Sequence, residues 1–309
     1  MNYKDLRIVF MGTPEFAVAS LSKLVDEGCQ IVGVITAPDK PAGRGMELQQ
    51  SAVKKYAVKK GLTVLQPEKL KDLQFLETLK SLNAHLQIVV AFRMLPEVVW
   101  NMSPMGTLNL HGSLLPQYRG AAPINWAIIN GEKITGVTTF KLKHEIDTGD
   151  VLLSEEIKID EDDNAGTLHD KMKEIGAEVL FNTVLGLAEN NIQEKPQSNL
   201  NIKHAPKIFT ETCKIDWSKT GEEIYNLIRG LSPYPAAFTF LDEKKLKVFS
   251  AKKEITIPQV NPGLFDTDGK TFLRFACADG YLHLLELQLE GKKKMKIEDF
   301  LRGYRFDRK

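Results

Sequence analysis

Leu6-Arg7-Ile8-Val9-Phe10-Met11-Gly12-Thr13-Pro14 is the first regular stretch of the chain, and it sets the pattern of a strand followed by a helix. Leu6–Met11 is a short apolar run rich in β-branched and aromatic residues, which predicts a strand. Gly12-Thr13 turns the chain. Pro14–Asp26 then carries apolar residues at helical spacing, with Pro14 near the first turn, where its missing N–H is not needed. Ile31–Thr36 reads as a second strand. Gln49–Lys60 reads as a helix, Thr63–Gln66 as a short strand, Leu70–Leu82 as a helix and Leu86–Phe92 as a buried strand. Such alternation predicts an α/β domain with a mostly parallel sheet covered on both faces. In such sheets ligands bind beyond the carboxyl ends of the strands.

The rest of the chain has another texture. Ala177–Ala188 reads as a helix, and 189–207 is polar, broken by Pro196 and four asparagines, as linkers are. A helix around Glu222–Leu231 ends at Ser232-Pro233-Tyr234-Pro235. Short strands then alternate with turns: Ala237–Leu241, Leu246–Lys253, Thr271–Ala276 and Leu282–Glu290, with turns at Asp242–Lys244, Pro262-Gly263 and Asp279-Gly280. This spacing predicts a small antiparallel barrel. The expected division is 1–188, a linker at 189–207, and 208–309, consistent with a 309-residue chain holding two domains.

Lys and Arg number 41 against 40 Asp and Glu, which excludes a wholly basic nucleic-acid sponge. The balance is uneven along the chain. Residues 1–204 hold 22 Lys/Arg against 25 Asp/Glu, a net of −3, and 205–309 hold 19 against 15, a net of +4. Cys29, Cys213 and Cys277 are far apart, which argues against a disulfide framework or a cysteine zinc site and suits a reducing cytoplasm. The N-terminus is charged and lacks a signal-peptide core. The apolar run Ile88–Phe92 is far below the ~18–20 residues of a membrane span. A cytoplasmic protein without membrane or metal partners is expected.

Four features could carry chemistry. Gly12-Thr13-Pro14 opens a helix and reads as a tight βα turn, with anion binding as the alternative. Pro38–Gly45 is a Pro/Gly loop bearing Lys40 and Arg44, either solvated or an arm that touches phosphates. Asn109 and His111 alternate with Leu108 and Leu110, so a strand would put both polar side chains on one face. Glu145-Ile146-Asp147-Thr148-Gly149-Asp150 is a turn offering carboxylates. His111 also suits a structural role and Asp147 a plain turn. Together, an amide and an imidazole held charged by a carboxylate suit acyl transfer through an oxyanion. No nucleophile elbow is present.

Asn109-Leu110-His111-Gly112-Ser113-Leu114-Leu115-Pro116, Tyr118-Arg119-Gly120-Ala121-Ala122-Pro123 and Asp147-Thr148-Gly149-Asp150 resemble the folate-dependent formyltransferases. The likeness runs through Phe10–Ala17, Pro38–Gly45, Asp216-Trp217-Ser218 and Ile228–Ala236, and it is nearest to the tRNA-acting branch. It implies a Rossmann-like catalytic domain and a small OB-like barrel. It also implies formyl transfer from 10-formyltetrahydrofolate to the methionine amino group of methionyl initiator tRNA; a monomer is expected. The resemblance places Asn109, His111 and Asp147 in the catalytic triad and Ser113, Leu114, Leu115 and Pro116 in the folate motif. Arg44 matches a tRNA-contacting arginine. Lys40 and the run Lys292, Lys293, Lys294 and Lys296 are the further expected tRNA contacts. Met46-Glu47-Leu48 stands where many relatives carry lysines, and Val90–Pro96 is shorter and bulkier than the family turn. A formyltransferase for amino-sugar nucleotides is the runner-up. A one-domain purine-pathway formyltransferase and a non-catalytic RNA-binding protein are more distant alternatives.

Overall fold

The computed structural model describes residues 1–42, 47–200 and 202–306, and the chain divides into two compact units. The first holds Met1–Gly120, Thr135–Lys158 and His169–His204; the second holds Ala121–Ile134, Ile159–Leu168 and Ala205–Lys309. In chain order the elements are β1 (Arg7–Gly12), α1 (Glu15–Asp26), β2 (Gln30–Ile35), β3 (Lys40–Ala42), β4 (Glu47–Gln49), α2 (Ala52–Lys59), β5 (Val64–Leu65), α3 (Leu73–Ser81) and β6 (Leu86–Val90). Next come α4 (Glu97–Trp100), β7 (Thr107–His111), β8 (Arg119–Gly120), α5 (Pro123–Ile129), β9 (Ile134–Lys141), β10 (Val151–Lys158), α6 (Ala165–Ala188) and β11 (His204–Ala205).

The main sheet of the first unit has the order β10-β9-β7-β6-β1-β2-β5. Strands β7, β6, β1, β2 and β5 run parallel, and β9 returns antiparallel to β7. Ile8, Val9, Phe10 and Met11 are wholly buried, as a central parallel strand requires. The chain leaves β1 toward β2 and later reappears on the other side as β6, so the switch point lies between β1 and β6. The Gly12 turn is a packing device. A Cβ there would lie 2.6 Å from the Ala17 Cβ and 3.0 Å from the Val90 carbonyl oxygen.

Several boundaries differ from the sequence reading. Gln49 belongs to β4, and α2 starts only after Ser51, whose hydroxyl accepts from the Lys54 N–H as an N-cap. Asp72 caps α3 in the same way, so Leu70 lies outside the helix. Helix α6 begins at Ala165 rather than Ala177, because its glycines and charged residues hide the helical period. Gly176 within it faces Leu110, and a Cβ there would come to 3.0 Å of the Leu110 Cδ2. Strands β9 and β10 and helix α5 were not expected at all.

The second unit continues with α7 (Gly221–Leu231), β12 (Ala237–Leu241), β13 (Lys244–Ile255), β14 (Phe265–Thr267), β15 (Leu273–Cys277), β16 (Gly280–Leu289), β17 (Met295–Lys296) and α8 (Ile297–Gly303). It is a small antiparallel barrel-type sheet of order β12-β13-β16-β15-β14, with β17 on β16. Asp242 and Glu243, both at positive φ, make the two-residue turn between β12 and β13. The register of β13 slips between Val248 and Ala251, a bulge that bends this long strand between its two neighbours. Trp217 stacks on Phe275 at 4.7 Å and donates its indole N–H to Thr239. Arg229 donates to the carbonyls of Asp160 and Asp163, and Gly230 leaves room for Ile129, where a Cβ would come to 2.6 Å. The Ile228–Ala236 motif is thus explained by packing within this unit.

Candidate active site

Strand β7 sorts its side chains as period two demands. Leu108 and Leu110 are buried, and Leu110 faces Gly176 of α6. Asn109 and His111 lie on the other face. His111 is 7% exposed, and its Nε2 is 2.9 Å from the Tyr118 carbonyl oxygen. A carbonyl can only accept, so Nε2 carries a proton. Nδ1 lies 3.9 Å from Asp147 Oδ2, too far for a hydrogen bond but within ion-pair range. Asn109 is half-buried, and among the described residues its amide makes no protein hydrogen bond. A donor left open beside an imidazole–carboxylate pair is what an oxyanion site needs.

The loops around this pair are held in costly conformations. Tyr118 has φ 59° and Asp147 φ 54°, the left-handed region, which costs about 1–3 kcal/mol per residue and persists only where surroundings impose it. The Tyr118 N–H donates to the Lys203 carbonyl at 2.6 Å, and the Gly120 N–H donates to Asp147 Oδ2 at 3.0 Å. Gly149 follows because a Cβ there would sit 1.6 Å from the Lys141 carbonyl oxygen.

Ser113 is wholly buried and donates its hydroxyl to the Gln117 carbonyl at 2.6 Å, so that hydroxyl shapes the turn. Leu114, Leu115 and Pro116 are half-buried beyond it. Thr138 of β9 locks the same turn, donating to the Ser113 carbonyl and accepting from the Leu115 N–H. Neither Thr138 nor Gln197, whose side chain reaches the Asp147 turn, stood out in the sequence. The β-branched pattern of Ile134–Lys141 could have exposed the strand that carries Thr138. No such signal marks Gln197.

The arrangement offers donors and a carboxylate but no protein nucleophile. The Ser113 hydroxyl is committed, and burial pushes the Cys29 thiol up to about 11 and those of Cys213 and Cys277 in the same direction. Among the described residues no group of His, Cys, Asp and Glu could hold a metal ion, and no helix is long and apolar enough to cross a membrane.

The expected tRNA contacts belong to other elements. Lys40 is exposed at the base of the β3–β4 hairpin, and Arg44 lies outside the described residues. Asp39 anchors that base by accepting from Lys54 Nζ at 2.5 Å and Gln66 Nε2 at 2.8 Å, and these bonds hold its carboxyl below the usual carboxylate range. Lys292, Lys293, Lys294 and Lys296 are exposed, with Lys294 paired to Glu286 at 2.8 Å. The sheet register brings Lys244 and Lys245 to the same end as the Lys292 turn, whereas Lys252 and Lys253 pair farther along with His283 and Leu282.

Residues 6–184 match the formyl transferase family model, and residues 207–305 match the model of the formyl transferase C-terminal domain. A methionyl-tRNA formyltransferase of Bacteroides fragilis is 52% identical, over 98% of this chain and 97% of that protein. One of Parabacteroides distasonis is 54% identical, over 99% and 98%. Among solved structures, the sugar 3N-formyltransferase WlaRD, determined with dTDP and 5-N-formyl-THF, superposes with a TM-score of 0.68 at 21% identity, over 93% of this chain and 99% of that one. HypX from Aquifex aeolicus, in complex with tetrahydrofolic acid, gives 0.67 at 18% identity, over 98% and 48%.

Proposed function

The chain belongs to the formyl transferase family, and from that premise we propose that it transfers a formyl group from 10-formyltetrahydrofolate to the α-amino group of methionyl initiator tRNA, for translation initiation. The observation that carries this reading is the match to methionyl-tRNA formyltransferases at 50–54% identity across both domains. The amino-sugar reading rests on solved structures near 20% identity, which bear on the fold alone.

The residues support a direct transfer. The methionyl amine attacks the formyl carbon, so a C–N bond forms and the formyl oxygen takes up negative charge. The Asn109 amide donates to that oxygen. His111 donates through Nδ1, the ring nitrogen that Tyr118 does not engage. Collapse breaks the bond to folate N10, and the proton lost by the amine passes, with Asp147 as relay, to N10. The half-buried Leu114, Leu115 and Pro116 line the folate site, and Ser113 contributes by fixing their turn.

In this reading 1–188 performs the chemistry, 189–207 links, and 208–309 grips the tRNA backbone with Lys292, Lys293, Lys294 and Lys296. Lys40 contacts the tRNA from the base of the β3–β4 hairpin, and Arg44, outside the described residues, is the further expected contact. The enzyme works as a cytoplasmic monomer. The test is a formyl-transfer assay with 10-formyltetrahydrofolate and two acceptors, methionyl initiator tRNA and a dTDP-linked amino sugar. Transfer to the tRNA with kcat/KM at least about 10³-fold higher is expected. Preference for the sugar would overturn the assignment.

A further inference from the structure

The segment 189–207 has the composition of a linker, yet much of it is fastened along the first unit. Ile192 packs on Gly186, where a Cβ would meet its Cγ1 at 2.6 Å. Glu194 pairs with Lys141, and Lys195 exchanges two backbone hydrogen bonds with Val151 at 2.8 and 2.9 Å. The Lys203 carbonyl accepts from the Tyr118 N–H. Between these points Gln197 is half-buried in a run, 193–200, that is otherwise exposed.

Every polar atom of the Gln197 side chain is engaged. Nε2 donates to the carbonyls of Asp147 at 2.9 Å and Gly149 at 2.7 Å. Oε1 accepts from Arg119 Nε at 3.0 Å and Nη2 at 2.7 Å. Arg119 Nη1 is also held by Asn199 at 3.3 Å. One amide therefore ties the turn that carries Asp147 to the loop whose Tyr118 carbonyl orients His111. The two sides demand opposite chemistry: a pair of carbonyls that only accept, and a guanidinium that only donates. A primary amide of this length satisfies both. A carboxylate satisfies only the arginine side, and a thioether neither.

We propose that Gln197 is a positioning residue that locks the Asp147–Gly149 turn and the Tyr118–Gly120 loop in the geometry the reaction uses. The proposal rests on the reading of Asp147 as the proton relay. Gln197 itself touches no reacting atom. It holds Asp147 in its left-handed conformation, with Oδ2 set against the Gly120 N–H and the His111 ring.

The test compares Gln197→Met and Gln197→Glu, each alone and combined with Asp147→Asn. It measures kcat, the KM for 10-formyltetrahydrofolate, the KM for methionyl initiator tRNA and the thermal midpoint of the full-length enzyme. Both single variants should lose about 10–100-fold in kcat, as misplacement on the order of 1 Å does, with both KM values within about 3-fold. Gln197→Glu should lose as much as Gln197→Met, although it keeps its bond to Arg119 and folds like the parent. In the Asp147→Asn background the further loss should shrink to under about 3-fold, because both changes remove the same function. Normal kcat in the Gln197 variants beside a slow Asp147→Asn enzyme overturns the proposal and leaves the reading of Asp147 standing. Equal Gln197 losses in both backgrounds also overturn it. Normal turnover by Asp147→Asn removes both.

Discussion

Because the Nε2 proton of His111 is committed to the Tyr118 carbonyl, Nδ1 is the nitrogen that faces Asp147 and, in the proposed mechanism, the substrate. In the proposed mechanism the single N–H at Nδ1 goes to the formyl oxygen, so Asp147, 3.9 Å from that nitrogen, acts on the ring by charge and not by a hydrogen bond. Asn109 is the complementary case, an amide with no protein partner among the described residues on the same strand face. In the proposed mechanism its removal takes away one oxyanion donor, and it breaks no side-chain hydrogen bond among the described residues. Asn109→Ala should therefore lower kcat by about 10²–10³ with little change in thermal midpoint. Single-turnover formyl transfer at saturating substrates reads this directly, and a loss confined to KM would place Asn109 in substrate binding instead.

At the scale of elements, the β3–β4 hairpin is an arm with both legs pinned. Asp39 fixes the first leg through Lys54 and Gln66, and the Thr36 hydroxyl meets Ser51, the cap of α2, at 2.7 Å behind the second. The Asp39 carboxyl is depressed in the folded protein by the hydrogen bond from Lys54 and then by that from Gln66. Its contribution is thus present above the ordinary carboxylate range and is lost as pH falls through the lowered value. At neutral pH the anchor is intact. Asp39→Ala should raise the KM for methionyl initiator tRNA several-fold and leave the KM for 10-formyltetrahydrofolate unchanged, as measured in steady-state assays at pH 7. Both KM values rising together would assign the arm to the folate site.

For the molecule as a whole, the split of −3 against +4 acquires a location. The register of β13 and β16 gathers Lys244 and Lys245 with Lys292, Lys293 and Lys294 at one end of the C-terminal sheet. Lysines there can hold phosphates without reading bases. Replacing Lys292, Lys293, Lys294 and Lys296 with Gln should raise the KM for tRNA and reduce the slope of log KM against log salt by about 0.7–0.9 per lysine that touches phosphate. The full effect of four is not expected, because Lys294 is already paired with Glu286. Discrimination between initiator and elongator tRNA should change little. An unaltered salt slope would make this end of the sheet an ordinary solvated face.

Local pattern alone specified the alternation of β1, α1 and β2, the shared face of Asn109 and His111, and the short strands of the second unit. Those depend on period, turn residues and side-chain polarity within a few positions. Helix ends slipped where a cap such as Ser51 or Asp72 decided them. Only the second half of helix α6 shows in the sequence, because the glycines that fit it against its neighbours weaken its own signal. Whether His111 meets Asp147, 36 positions away, depended on Tyr118 and Asp147 being held at positive φ by Lys203 and Gly120. Gln197 lies outside any motif, and its role comes from two carbonyls and a guanidinium that the fold brings to one amide. Residue types and short motifs were enough to show which groups are available for the chemistry. Which of them meet was settled by long-range contacts, such as Tyr118 with Lys203 and Arg119 with Gln197, that join positions far apart in the chain and leave no local period to read.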